Sequence, residues 1–132
     1  MAISLSQLSS VLLLVDDYDN AIDYFTQVLG FTLIDDIKTA EDQRFVTVAP
    51  SDFATTTILL GKAVTEQQKA CIGNQAAGRV CMILHTTDFE SDYKTMKSKG
   101  VKFRETPLKE PYGTVAIFED KYGNLWDLLE PV

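Results

Sequence analysis

The sequence predicts an α+β domain made of two copies of one βαβββ module, and three observations carry that reading. First, a short apolar run leading into an acid-aromatic-acid turn occurs twice, as Ser10-Val11-Leu12-Leu13-Leu14-Val15 before Asp17-Tyr18-Asp19 and as Cys81-Met82-Ile83-Leu84-His85-Thr86 before Asp88-Phe89-Glu90. Second, the spacing repeats: Asp17 and Asp88 are 71 residues apart and Gly30 and Gly100 are 70 apart, so one deletion in the second helix brings the halves into register. Third, 132 residues allow one compact domain, so the copies belong to a single unit.

Each half opens on a strand, and its turn acids fall at the positive N-terminus of a helix. Ala21, Ile22, Phe25, Val28 and Leu29 follow at helical spacing and give one apolar face, which predicts that Tyr18, Tyr24 and Phe25 pack, as does Phe89 in the second half. Gly30 and Gly100 are placed as helix stops. Three further strands are expected per half, over 31–39, 44–49 and 55–61, then over 101–106, 114–119 and 125–130. Pro50-Ser51-Asp52, Pro111-Tyr112-Gly113 and Asp120-Lys121-Tyr122-Gly123-Asn124 supply the turns. Module one covers about 8–62 and module two about 78–131. The polar stretch between them, about 63–77, is the connector, with one helical turn around 66–70.

The chain is 45% hydrophobic and 23% charged, which fits a globular fold rather than disorder. The net charge of −7 disfavours nucleic-acid or anionic-membrane partners, which demand a basic face. That charge is uneven, with 3 Lys+Arg against 9 Asp+Glu through residue 62 and 9 against 10 after it. The series Lys94, Lys97, Lys99, Lys102 reads as the wet side of the second helix. The run 11–15 is too short for a membrane span or a signal core, so a cytoplasmic protein is expected. Cys71 and Cys81 read as reduced thiols. A single His, His85, leaves no two-imidazole motif within one chain.

The segment Val15-Asp16-Asp17-Tyr18-Asp19-Asn20-Ala21-Ile22-Asp23-Tyr24-Phe25 through Val28-Leu29-Gly30-Phe31, with Val115-Ala116-Ile117-Phe118-Glu119-Asp120-Lys121-Tyr122-Gly123-Asn124-Leu125-Trp126-Asp127-Leu128, resembles the vicinal oxygen chelate superfamily. That superfamily includes glyoxalases, extradiol dioxygenases, fosfomycin-resistance transferases and bleomycin-resistance proteins. The resemblance implies a shared cleft between the two modules, a small-molecule ligand and a homodimer. It also implies where metal-dependent relatives place their ligands, at positions matching Ser10, Leu59, Cys81 and Asp127. Only Asp127 retains an oxygen ligand of the family's type. A conventional divalent-metal cofactor is therefore disfavoured and no metal ligands are assigned.

Strand alternation turns Ser10, Leu12 and Leu14 to one face and Val11, Leu13 and Val15 to the other, under the helix. By the same logic Cys81, Ile83 and His85 face the cleft. Leu12, Leu14, Leu59, Ile83 and Trp126 or their neighbours would hold an amphipathic ligand, as in bleomycin-resistance proteins. Asp127 is the candidate catalytic group, a general base for a glyoxalase-like lyase or isomerase acting on a carbonyl or thioester compound. Equally, it bonds a backbone group or pairs with Arg79 or Arg44. Cys81 and His85 lie roughly 13 Å apart on one strand face, too far for a thiolate-imidazole pair. Each has a plain alternative: Cys81 as a small buried filler, His85 as a strand-end surface residue. Arg79, Tyr112 and the Asn74-Gln75 pair either line the cleft mouth, where a guanidinium would hold a carbonyl or an anion, or close the connector onto the sheet.

Overall fold

The computed structural model describes residues 2–132. Strand β1 (Ser10–Val15) leads into α1 (Tyr18–Asp23), whose cap residue Asp17 accepts a hydrogen bond from the Asn20 N–H at 3.0 Å. The helix does not continue as a regular α-helix. It widens into a π-helical turn, Tyr24–Val28, where the Leu29 N–H reaches back to the Tyr24 carbonyl. Gly30 then stops it with φ of +72°.

Strands β2 (Thr32–Ala40), β3 (Gln43–Ala49) and β4 (Thr57–Lys62) complete the first module. Their sheet runs β1-β4-β3-β2, with β1 parallel to β4 and the other pairs antiparallel. The connector carries α2 (Glu66–Cys71), closed by a capping box between Thr65 and Gln68.

The second module repeats the plan with β5 (Val80–His85), α3 (Phe89–Ser98), β6 (Lys102–Phe103), β7 (Leu108–Glu110), β8 (Gly113–Glu119) and β9 (Leu125–Pro131). Asp88 caps α3 as Asp17 caps α1. The sheet runs β5-β9-β8-β6, and β7 also pairs with β8. The strand expected over 101–106 is thus two short ones. Residues 104–107 leave the ladder after the Arg104 N–H bonds the Ile117 carbonyl, and Pro107, which has no N–H to give, precedes the restart at Leu108.

The modules meet through their helix-covered faces and share one core. Leu13, Val15, Val46, Val48, Ile58 and Leu60 enter it from the first sheet, and Ala116, Phe118, Trp126 and Leu128 from the second. Between them Phe25 lies 5.9 Å from Trp126, which stacks on Phe118 at 5.9 Å and 13°. Each large apolar side chain fully buried here contributes about 1.5–3 kcal/mol. Polar contacts fasten the seam: the Tyr122 hydroxyl donates to Asp16 at 2.9 Å and Lys99 Nζ to the Gln27 carbonyl at 3.1 Å.

Candidate functional site

Because the helix-covered faces are spent on the core, the opposite faces of both sheets are open. In the first sheet, register places Leu12 beside Leu59, Leu59 beside Thr47, and Thr47 beside Asp35. Ile37 and Phe45 pair further along the same face. In the second sheet Ile83 and Ile117 flank Asp127 on either side. The apolar members stay wet in the single chain: Leu12 is 48% exposed, Ile37 54%, Ile83 59% and Leu108 45%. Trp126, expected among the ligand-facing residues, is instead fully buried in the core.

Ser10 shares a 2.7 Å hydrogen bond with the Thr57 hydroxyl beside it. Cys81 lies at a bulge between Val80 and Met82 and packs against the core cluster, where alternation alone would have turned it outward. Burial, and then the nearby charge of Asp120, push its thiol pKa up, so it is a poor thiolate. His85 is exposed at the end of β5 and borders a cavity of about 290 Å³ at the module seam, with Asp92 and Lys99 on the same rim. Arg79 is exposed just before β5 and has no ion pair among the described residues. Tyr112 is exposed in the β7–β8 turn. Gln75 closes onto the sheet: its amide donates to the Leu12 carbonyl at 2.6 Å and accepts from the Leu14 N–H at 2.9 Å, covering the outer edge of β1.

Asp127 stands apart. Burial raises its carboxyl pKa, and among the described residues its side chain has neither a hydrogen-bond nor an ion-pair partner. Arg44, one suggested partner, is committed elsewhere. It holds Asp36 through two bonds of 3.0 and 2.8 Å, reaches Asp19 at 3.0 Å and lies 5.2 Å from the Tyr18 ring centre.

The four family metal positions do not fit a divalent ion. Leu59 has no donor atom, the Ser10 hydroxyl is neutral and already bonded, and Cys81 packs toward the core with its thiol held protonated. That leaves one carboxylate.

Three features escaped the sequence reading. Asp120 is a buried hub: one oxygen accepts from the backbone N–H groups of Tyr122, Gly123 and Asn124, the other from the Asn124 amide and the Trp126 indole N–H, all near 3.0 Å. Its signal was present as an Asp opening a Gly-Asn turn two residues before Trp126. Asp35 accepts from the buried Thr47 hydroxyl at 2.8 Å, and it shares that face only because a bulge between Leu33 and Asp35 shifts the alternation. Arg104 is exposed at the bend just after β6, tied to β8 by its N–H on the Ile117 carbonyl, where the interruption hides it from any strand pattern.

Comparison with known proteins agrees with this architecture. An uncharacterized protein from Shewanella frigidimarina (strain NCIMB 400) is 49% identical over 121 residues, covering 91% of this chain and 90% of its own. The crystal structure of UcmS2 superposes with a TM-score of 0.83 at 30% identity, covering 96% of this chain and 99% of that one. TnmS3, an antibiotic binding protein from Streptomyces sp. CB03234, shares the fold with a TM-score of 0.77 at 23% identity, covering 99% and 100%. The family model for the Glyoxalase/Bleomycin resistance protein/Dioxygenase superfamily matches residues 7–128, and with the duplicated βαβββ modules and their open sheets the chain belongs to that superfamily.

Proposed function

We propose that this chain binds a small molecule in an inter-module cleft, formed by the open face of module one in one copy and the open face of module two in a second copy, without a conventional divalent-metal centre. The observation that carries the reading is the wet apolar surface on both open faces, led by Leu12, Ile37 and Ile83. Contiguous patches of this kind mark interaction or ligand sites. A two-fold homodimer would cover each face with its complement twice, leaving two equivalent clefts. The scaffold suits such work: its fold neighbour TnmS3 is an antibiotic binding protein.

Light scattering joined to a thermal-shift series with Mg, Mn, Ni, Zn and Fe(II) and a panel of apolar aromatic compounds tests this. A dimer, no stabilisation by any ion, and a rise in Tm with aromatic compounds that is lost in Leu12→Asp and Ile83→Asp are expected. Stoichiometric metal lost in Asp127→Ala would overturn the metal-free reading, and a monomer indifferent to every compound would overturn the binding one.

The second reading is a glyoxalase-like lyase or isomerase with Asp127 as general base. Its favouring observation is a carboxyl of raised pKa, free of partners among the described residues and flanked by Ile83 and Ile117. Proton exchange into deuterated water on a panel of small carbonyl and thioester compounds, abolished in Asp127→Asn, is the expected signature. No exchange on any of them removes this reading.

A further inference from the structure

The second sheet carries two opposite charges that do not meet. The Arg104 N–H bonds the Ile117 carbonyl at 2.9 Å, and Ile117 is in register with Asp127, so the Arg104 backbone, just past the end of β6, lies in one row with Ile117 of β8 and Asp127 of β9. Phe103 packs its ring on Phe118 in the core, and Arg104, the first residue past β6, is exposed. Two strand spacings separate the ends of the row, about 10 Å between backbones, with the Ile117 side chain between them.

Neither charge has an ion-pair partner among the described residues. The neighbouring Lys102 is taken by Glu119 at 3.6 Å. Register turns the basic residues of the first sheet, Lys38, Arg44 and Lys62, to its helix-covered side, so among the described strand residues its open face offers Asp35 and no counter-charge for Asp127. A carboxylate and a guanidinium held apart on an apolar strip match a molecule with complementary ends.

We propose that the ligand is an ampholyte: a basic nitrogen pairs with Asp127, an acidic group pairs with Arg104, and an apolar body spans Ile117. This rests on the open-face binding reading above and specifies its ligand class.

Four isosteric probes on a para-substituted benzene ring test it: 4-(aminomethyl)benzoate, 4-methylbenzylamine, 4-(hydroxymethyl)benzoate and 4-methylbenzyl alcohol. Binding is followed by NMR through the methyl groups of Ile83 and Ile117. The ampholyte should bind tightest, with each single-charge probe weaker by roughly fivefold or more, the scale of one lost charge-assisted contact. Asp127→Asn should erase the advantage of the amine alone, and Arg104→Gln that of the acid alone. If the neutral alcohol binds on this face as tightly as the ampholyte, the ampholyte proposal falls and open-face binding stands. If no probe moves either methyl, both fall.

Discussion

Trp126 and Asp127 are chain neighbours on β9 with opposite circumstances. Trp126 is fully buried, packed between Phe25 and Phe118, and its indole N–H is bonded to Asp120. One residue on, the Asp127 carboxyl has no partner among the described residues and is pushed toward its neutral form. The same contrast holds on β1 between Leu13, fully buried, and Leu12, 48% exposed. The helix-covered faces hold the fold together, whereas the open faces keep apolar area and charge in reserve. Stability and the proposed binding are therefore separable by face, although they alternate residue by residue along each strand.

The sharpest way to break that separation is to empty the core side. Trp126→Ala removes the centre of the aromatic cluster and one of the two donors to the second Asp120 oxygen, and should cost about 3–5 kcal/mol in urea unfolding. The β1 pair gives the cleanest contrast: Leu13→Ala should cost about 2–4 kcal/mol. Leu12→Ala, measured at low protein concentration, should stay within about 0.5 kcal/mol. Asp120→Ala leaves three backbone N–H groups, an amide and an indole N–H without their acceptor, an expected loss of about 2–3 kcal/mol by chemical denaturation.

Gly73→Ala probes the connector. Gly73 has φ of +76°, and a Cβ there would fall 1.8 Å from the Tyr122 carbonyl oxygen, so about 2 kcal/mol should be lost as the connector lifts from the second module. The smallest effect is expected on the open side. A carboxyl whose folded pKa is raised contributes stability at pH below its unfolded pKa and loses it as pH rises through the folded value. Asp127→Asn should therefore unfold slightly later than the parent at pH 7, by a few tenths of a kcal/mol given solvent screening, with the difference vanishing below about pH 4. An Asn variant less stable than the parent at pH 7 would mean that Asp127 has a structural partner.

Much of the fold was legible because its signals are local. The capping aspartates, the stop glycines and the 71-residue repeat need only neighbouring residues to be read, and β1 and β3 to β5 fall within two residues of where their patterns lie. The strand expected over 101–106 misled because its six residues read as one pattern, while an interruption ending at Pro107 divides the ladder into β6 and β7. The candidate site was legible only as far as alternation holds. Leu12, Leu59, Ile83 and Asp127 follow it, but Cys81 and Asp35 are displaced by bulges that no side-chain pattern announces.

By itself the sequence determined that there are two modules, where most of their strands and their opening helices begin, and which side chains of β1 and β9 turn together, since these depend on hydrophobic period and backbone preference within a few residues. The tertiary structure decided the rest: that the modules join through their helix-covered faces, that Gln75 seals the edge of β1, that Arg44 belongs to Asp19 and Asp36, and that Asp127 is left without a partner. Each of these depends on which of several suitable groups arrives first from a distant part of the chain, a competition settled by packing and register rather than by residue type.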